Sequence, residues 1–213
     1  VRTIMVFLHS NGVSTSRAVR IYKTCGEEAI EKVQNNPYIL ARDIRGIGFM
    51  SADHIAQKLG IPEDSLHRAQ AGLNHMLTEA SGNGHCGLPE DLLIRQTAEL
   101  LTVDESIPRN GLAQALHAGD VVRDAVGEHE LIFLPALKKA EEYIARRILD
   151  LSGQPSSYPD IDFNKAIHWV QESNKLQLAA SQTEAIRCAL ENRVVIITGG
   201  PGVGKTTIIQ SIL

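Results

Sequence analysis

The chain has 213 residues, 43% of them hydrophobic and 22% charged, with a formal charge of −4. No apolar run approaches the ~20 residues of a membrane-spanning helix and no signal-peptide pattern is present, which excludes a membrane partner and predicts a cytoplasmic protein. Cys25, Cys86 and Cys188 are isolated and odd in number, which excludes a disulfide framework or zinc site and fits thiols in a reducing compartment. The charge is unevenly spread: residues 1–60 carry eight Lys/Arg against five acids, a balance of +3 that leaves −7 for the rest. Such a local basic footprint is what an anionic partner would meet.

The first sixty residues contain an approximate internal repeat. In the first copy, Thr3 to His9 is predicted helical, Gly12-Val13-Ser14 is the turn, and Ser14 is the expected N-cap of a helix through Thr24. Arg17, Arg20 and Lys23 recur along that helix as a basic stripe. In the second copy, Pro37 to Arg45 is a short helix, Gly46-Ile47-Gly48 the break, and Phe49 to Leu59 the next helix, with Ala18 and Ala52 as matching small residues. Helix, glycine–hydrophobe–glycine, helix is the helix-hairpin-helix signature. Glycines there permit a tight turn whose N–H groups approach a DNA phosphate. The candidate DNA contacts are Gly12, Ser14, Arg17, Arg20, Lys23, Arg45, Gly46, Gly48 and Lys58, through the backbone and without sequence preference. The competing reading makes one or both hairpins structural.

Residues 66–79, 89–101 and 107–117 have helical periodicity, and Val121–Arg123 and Glu130–Leu134 flank a turn at Gly127-Glu128-His129. Helices followed by a small hairpin resemble a winged-helix module, here without Lys or Arg from Asn110 to His117, which favours a structural role. Ala136 to Asp150 is predicted as an amphipathic helix with Leu137, Ala140, Ile144, Ile148 and Leu149 turned inward. Ser152 to Asp160 reads as a linker.

Val194 to Thr198 is an apolar β-branched run predicted as a fully buried strand. It leads into Gly199-Gly200-Pro201-Gly202-Val203-Gly204-Lys205-Thr206, which fills the phosphate-loop pattern G-x-x-x-x-G-K-[ST], with Thr207 opening the following helix. Such a loop binds ATP: Lys205 reaches the β- and γ-phosphates and Thr206 completes the Mg²⁺ shell. Hydrolysis needs a second acid on another strand and a water-positioning group. Only seven residues follow Thr206 and the chain opens on Val1 rather than Met. The expectation is therefore a piece of a longer motor, inactive alone as an ATPase, with a frayed C-terminus.

These residues together resemble the RecD-like helicases of superfamily 1, the family of the exodeoxyribonuclease V alpha subunit. The motifs that carry the resemblance are Asn36 to Ala41, Ile44 to Phe49 with Ala52-Asp53, Gly84 to Pro89, Leu178 to Ile186, and Thr198 to Thr207. The resemblance implies an ATP- and Mg²⁺-dependent motor that unwinds DNA 5′ to 3′ in recombination and repair, alongside other recombination subunits. It also implies that Gln182 holds adenine, for which an amide is suited. The expected fold is mainly α: tandem helix-hairpin-helix at 1–62, a helical, winged-helix-like module at 63–151, a linker at 152–160, and the start of a P-loop α/β motor domain at 161–213. The helicase part of a conjugative relaxase and a non-catalytic docking module are the alternatives.

Overall fold

The computed structural model describes all 213 residues, and they divide into two compact units, residues 1–139 and 140–213. The first unit opens with α1 (Arg2–Ser10), α2 (Thr15–Cys25), a short 3₁₀ turn over Gly26–Glu28, α3 (Ala29–Asn35), α4 (Ile39–Asp43) and α5 (Phe49–Lys58). The repeat is visible in the packing. Val13 and Ile47, Ala18 and Ala52, and Ile21 and Ile55 stand thirty-four positions apart, and all six are buried in one core. One hairpin alone could not cover its apolar face, and the two copies cover each other's.

The rest of the first unit is α6 (Leu66–Gly82), β1 (Gly87–Pro89), α7 (Glu90–Leu101), α8 (Ser106–Ala118), β2 (Val122–Val126) and β3 (His129–Phe133). The strands form an antiparallel sheet in the order β1-β3-β2, with Leu88 opposite Ile132 and Arg123 also opposite Ile132. Three helices against a small sheet, with a strand between the first two, is the winged-helix arrangement. The sequence reading missed β1 because three residues show no period.

A second core of Leu73, Leu77, Leu93, Ile94, Leu112 and Ile132 lies among these elements. Helices α6 and α8 cross closely because Gly111 meets Ala69; a Cβ on Gly111 would stand 2.7 Å from the Ala69 Cβ. Gly111→Val should therefore destabilise this unit by about 1–3 kcal/mol, lowering the thermal midpoint. An unchanged midpoint would mean that the two helices separate freely at this crossing.

Helix α9 (Pro135–Ser152) begins in the first unit and continues into the second. Its apolar stripe, expected to face inward, is exposed: Ile144 by 52%, Ile148 by 46% and Leu149 by 72%. The periodicity was read correctly as helical, but no element packs on that face to bury it.

The second unit holds α10 (Phe163–Asn174), α11 (Ala180–Glu191) and α12 (Lys205–Ile212). The Asp162 carboxylate caps α10 by accepting from the Lys165 N–H at 3.2 Å, and the Arg187 guanidinium lies over the Phe163 ring at 4.0 Å. Val194–Thr198 corrects the sequence reading. Residues 194–200 have no regular structure, and Ile196 is 84% exposed. A strand exists by pairing its N–H and C=O groups with a neighbour, and the unit offers it no strand to pair with. No helix is long and apolar enough to cross a membrane.

Candidate functional site

The hairpins present two helix starts beside tight turns. Gly12 (φ 86°) and Gly46 (φ 88°) occupy left-handed backbone, which a side chain would strain. Some of the turns' own donors are spent internally. The Gly12 N–H donates to the His9 carbonyl, the Val13 N–H to Leu8 and the Ile47 N–H to Ile44, at 3.0–3.1 Å. The N–H groups left for an anion are those of Gly46 and Gly48 and those of the first turns of α2 and α5, which lack intrahelical acceptors. Ser14 holds the N-cap position of α2, but its hydroxyl meets Ser16 Oγ at 3.5 Å instead of capping the helix. Its neighbour draws the hydroxyl away, so the expected cap is not made. Gly48 begins α5 with no side chain to cap it. Both helix starts remain open, each with its positive dipole end.

The cations are arranged across the repeat. Arg20 Nη1 donates to the Arg45 carbonyl at 2.9 Å and stands 2.8 Å from where a Cβ on Gly46 would sit. Lys58 Nζ stands 2.9 Å from the equivalent point at Gly12. Each turn is thus roofed by a cation from the second helix of the other hairpin. Arg17 is half-buried, and Lys23 and Arg45 are exposed, so the predicted stripe is split: Arg20 braces the fold while Lys23 is open. Arg17, Gly12, Met50 and His54 line a concavity of about 250 Å³ between the turns. Sequence reading passed over His54 because a single histidine inside a helix belongs to no motif, and only the packing of α5 beside the first turn brings it to this concavity.

A buried ion pair sits behind this surface. The Arg68 guanidinium donates twice to Asp53, at 2.9 and 3.1 Å, and also to the Leu101 and Glu63 carbonyls, both at 3.0 Å. The Tyr38 hydroxyl donates to Asp53 at 2.7 Å. Burial pushes the Asp53 carboxyl up, but the hydrogen bonds from Arg68 and Tyr38 and the Arg68 charge outweigh it and hold the group below its ordinary value. Burial and the hydrogen bond to Asp53 raise the Tyr38 phenol well above its ordinary value. The network ties α5 to α6 and α7, and so the second hairpin to the winged-helix-like part.

In the second unit the phosphate loop runs from Gly199 into α12. Gly202 (φ 79°) and Gly204 (φ 82°) need left-handed backbone. A Cβ on Gly204 would collide with the Gln182 amide, whereas Gly200 and Gly202 face open space. Lys205 is the first residue of α12, and its ammonium donates to the Gly199 and Gly200 carbonyls, both at 2.6 Å. Pro201, Val203 and Thr206 are exposed and Thr207 half-buried. The helix start carries no side-chain cap. These features fit a nucleotide's phosphates: open space at Gly200 and Gly202, uncapped N–H groups, and an ammonium held only by carbonyls that phosphate oxygens can replace. Gln182 accepts from the Ala179 N–H at 2.9 Å and donates to the Val203 carbonyl at 3.1 Å. It stands beside the loop with its amide engaged by backbone at both ends.

Comparison with known proteins meets both regions. The helix-hairpin-helix domain model of the ATP-dependent RecD2 DNA helicases matches residues 1–87, and an AAA domain model matches residues 182–213. The ATP-dependent RecD2 DNA helicase of Deinococcus radiodurans is 26% identical over 223 residues, covering 99% of this chain and 30% of that protein. The RecBCD enzyme subunit RecD of Buchnera aphidicola is 30% identical over 95 residues, covering 45% of this chain and 15% of that protein. The chain thus spans less than a third of the length of these relatives. The resemblance read from the motifs stands: the chain is similar to RecD-like helicases over nearly its whole length, with a RecD2-type hairpin domain at its front and the opening of an AAA domain at residues 182–213.

Proposed function

We propose that this chain supplies the N-terminal portion of an ATP-dependent DNA helicase that works 5′ to 3′ in recombination and repair in the cytoplasm. The observation that carries the reading is the joint presence of two open helix starts beside glycine turns and a phosphate loop opening α12. The hairpins hold the DNA backbone without reading bases, through the first turns of α2 and α5 with Arg17, Lys23, Arg45 and Lys58 around them. Gly12, Ser14, Arg20, Gly46 and Gly48 shape and brace those turns. ATP bound with Mg²⁺ supplies the energy-yielding phosphoryl chemistry. Lys205 exchanges its two carbonyl partners for β- and γ-phosphate oxygens, Thr206 offers its hydroxyl to the metal, and Gly199 to Thr207 form the cradle. Gln182 accepts the adenine edge once its amide leaves the backbone. Other recombination subunits are natural partners, since one relative is named as a subunit of an enzyme complex.

Titration of the 213-residue chain with a fluorescent ATP analogue and Mg²⁺ tests the nucleotide half. The wild type should bind weakly, because Val194–Thr198 is unpaired, and should show no turnover. Lys205→Ala should weaken binding by roughly tenfold or more, as expected for a charged hydrogen bond to phosphate. Equal binding by wild type and variant would remove Lys205 from the phosphate site. A conserved turnover rate in both would mean that the chemistry lies elsewhere.

A further inference from the structure

A half-open cleft of about 490 Å³ lies between the second hairpin and the winged-helix-like part, within the first unit. Its size is that of a small-ligand site. One wall is a face of α6 carrying Gln70 and Asn74, whose side-chain amides make no hydrogen bonds. Asn36 also lines the cleft and uses only its Oδ1, accepting from the Tyr38 N–H at 3.0 Å. The rings of Tyr38, Phe49 and His75, which also line the cleft, run nearly parallel, with centroids 6.0 and 5.2 Å apart; Tyr38 and Phe49 are buried beneath, and His75 is the part-exposed ring of the stack.

The charges at the cleft speak against a phosphate inside it. Arg42 is committed to Asp43 at 2.7 and 3.1 Å, and Asp120 adds a negative group to the lining. What remains is a set of amides that donate and accept together, beside the part-exposed His75 ring. That combination matches the edges and faces of a nucleobase. Gly48, at the open start of α5, belongs to the same lining.

We propose that this cleft receives an unpaired base of single-stranded DNA whose backbone lies along the N-terminus of α5. The inference rests on the reading that the second hairpin holds DNA backbone. It gives that hairpin a preference for a duplex with a single-stranded tail over a blunt duplex.

The test is fluorescence anisotropy of the 213-residue chain with a labelled blunt duplex and the same duplex carrying an oligo(dT) tail. Two variants are compared, Gln70→Ala with Asn74→Ala, and Thr78→Trp, which fills the cleft from an exposed position. Wild type should favour the tailed DNA, and each variant should lose roughly fivefold or more of that affinity, about the worth of one hydrogen bond to a base, with blunt-duplex binding unchanged. Salt-dependent binding with tailed affinity unaffected by either variant would overturn the cleft while leaving the hairpin reading intact. No binding of either DNA by the wild type would overturn both.

Discussion

Replacing Arg68 by methionine should destabilise the first unit by about 3–5 kcal/mol, the cost of leaving a buried carboxylate without its partner. Arg68 and Asp53 are each only 7% exposed, so water cannot take over the lost hydrogen bonds. The guanidinium's contacts to the Leu101 and Glu63 carbonyls disappear as well. The pH dependence has a definite sign. In the wild type the Asp53 carboxyl is held below its ordinary value, so its contribution is present above the unfolded carboxylate pKa of about 4 and is lost as the pH falls through the folded value. In Arg68→Met the burial of Asp53 is opposed only by the hydrogen bonds from Tyr38 and Gln57, so its carboxyl moves up from the wild-type value. The ionised carboxylate is therefore less stabilised in the variant than in the wild type, and the gap between the two proteins should be wider at pH 7 than at pH 3. Urea unfolding at both values measures it. A gap that is equal at both, or below about 1 kcal/mol at pH 7, would show that the pair is not desolvated.

A second large effect is expected at Gly48. This glycine has φ outside the left-handed region and no atom within 4 Å of its missing Cβ, so Gly48→Glu should fold with near-normal stability. It nevertheless places a carboxylate at the helix start proposed to meet a phosphate. It should reduce DNA affinity by roughly tenfold or more, through repulsion and loss of a charge-assisted contact. Gly46 is a poorer probe, because any side chain there is strained and strikes Arg20 Nη1. Unaltered DNA binding by a folded Gly48→Glu would make the second hairpin a structural element.

The second hairpin was legible in the sequence because Gly46-Ile47-Gly48 encodes the turn directly, and the structure sets Ile47 into the core 3% exposed. The phosphate loop was legible for the same reason: its chemistry is local and its spacing strict. Val194–Thr198 was not, because strand propensity says nothing about whether a pairing partner stands alongside. The apolar stripe of α9 fixed its helical period without saying what covers it. Asp53 and Arg68 are fifteen residues apart in no motif spacing, and only the packing of α5 on α6 brings them together. The cleft is less readable still, since Asn36 lies thirty-four residues before Gln70, which α6 carries together with Asn74, and each looks like an ordinary surface amide.

The central claim is that the hairpins hold the DNA backbone, and a salt series of anisotropy titrations with a labelled forked DNA tests it most directly. The account predicts affinity that falls linearly on a log–log plot as salt rises, with a slope reflecting a few released counterions. It further predicts that Arg17→Glu with Lys23→Glu makes that slope shallower. Absence of binding at low salt, or a slope that these reversals leave untouched, would contradict it and leave the tandem hairpins as a packing collar.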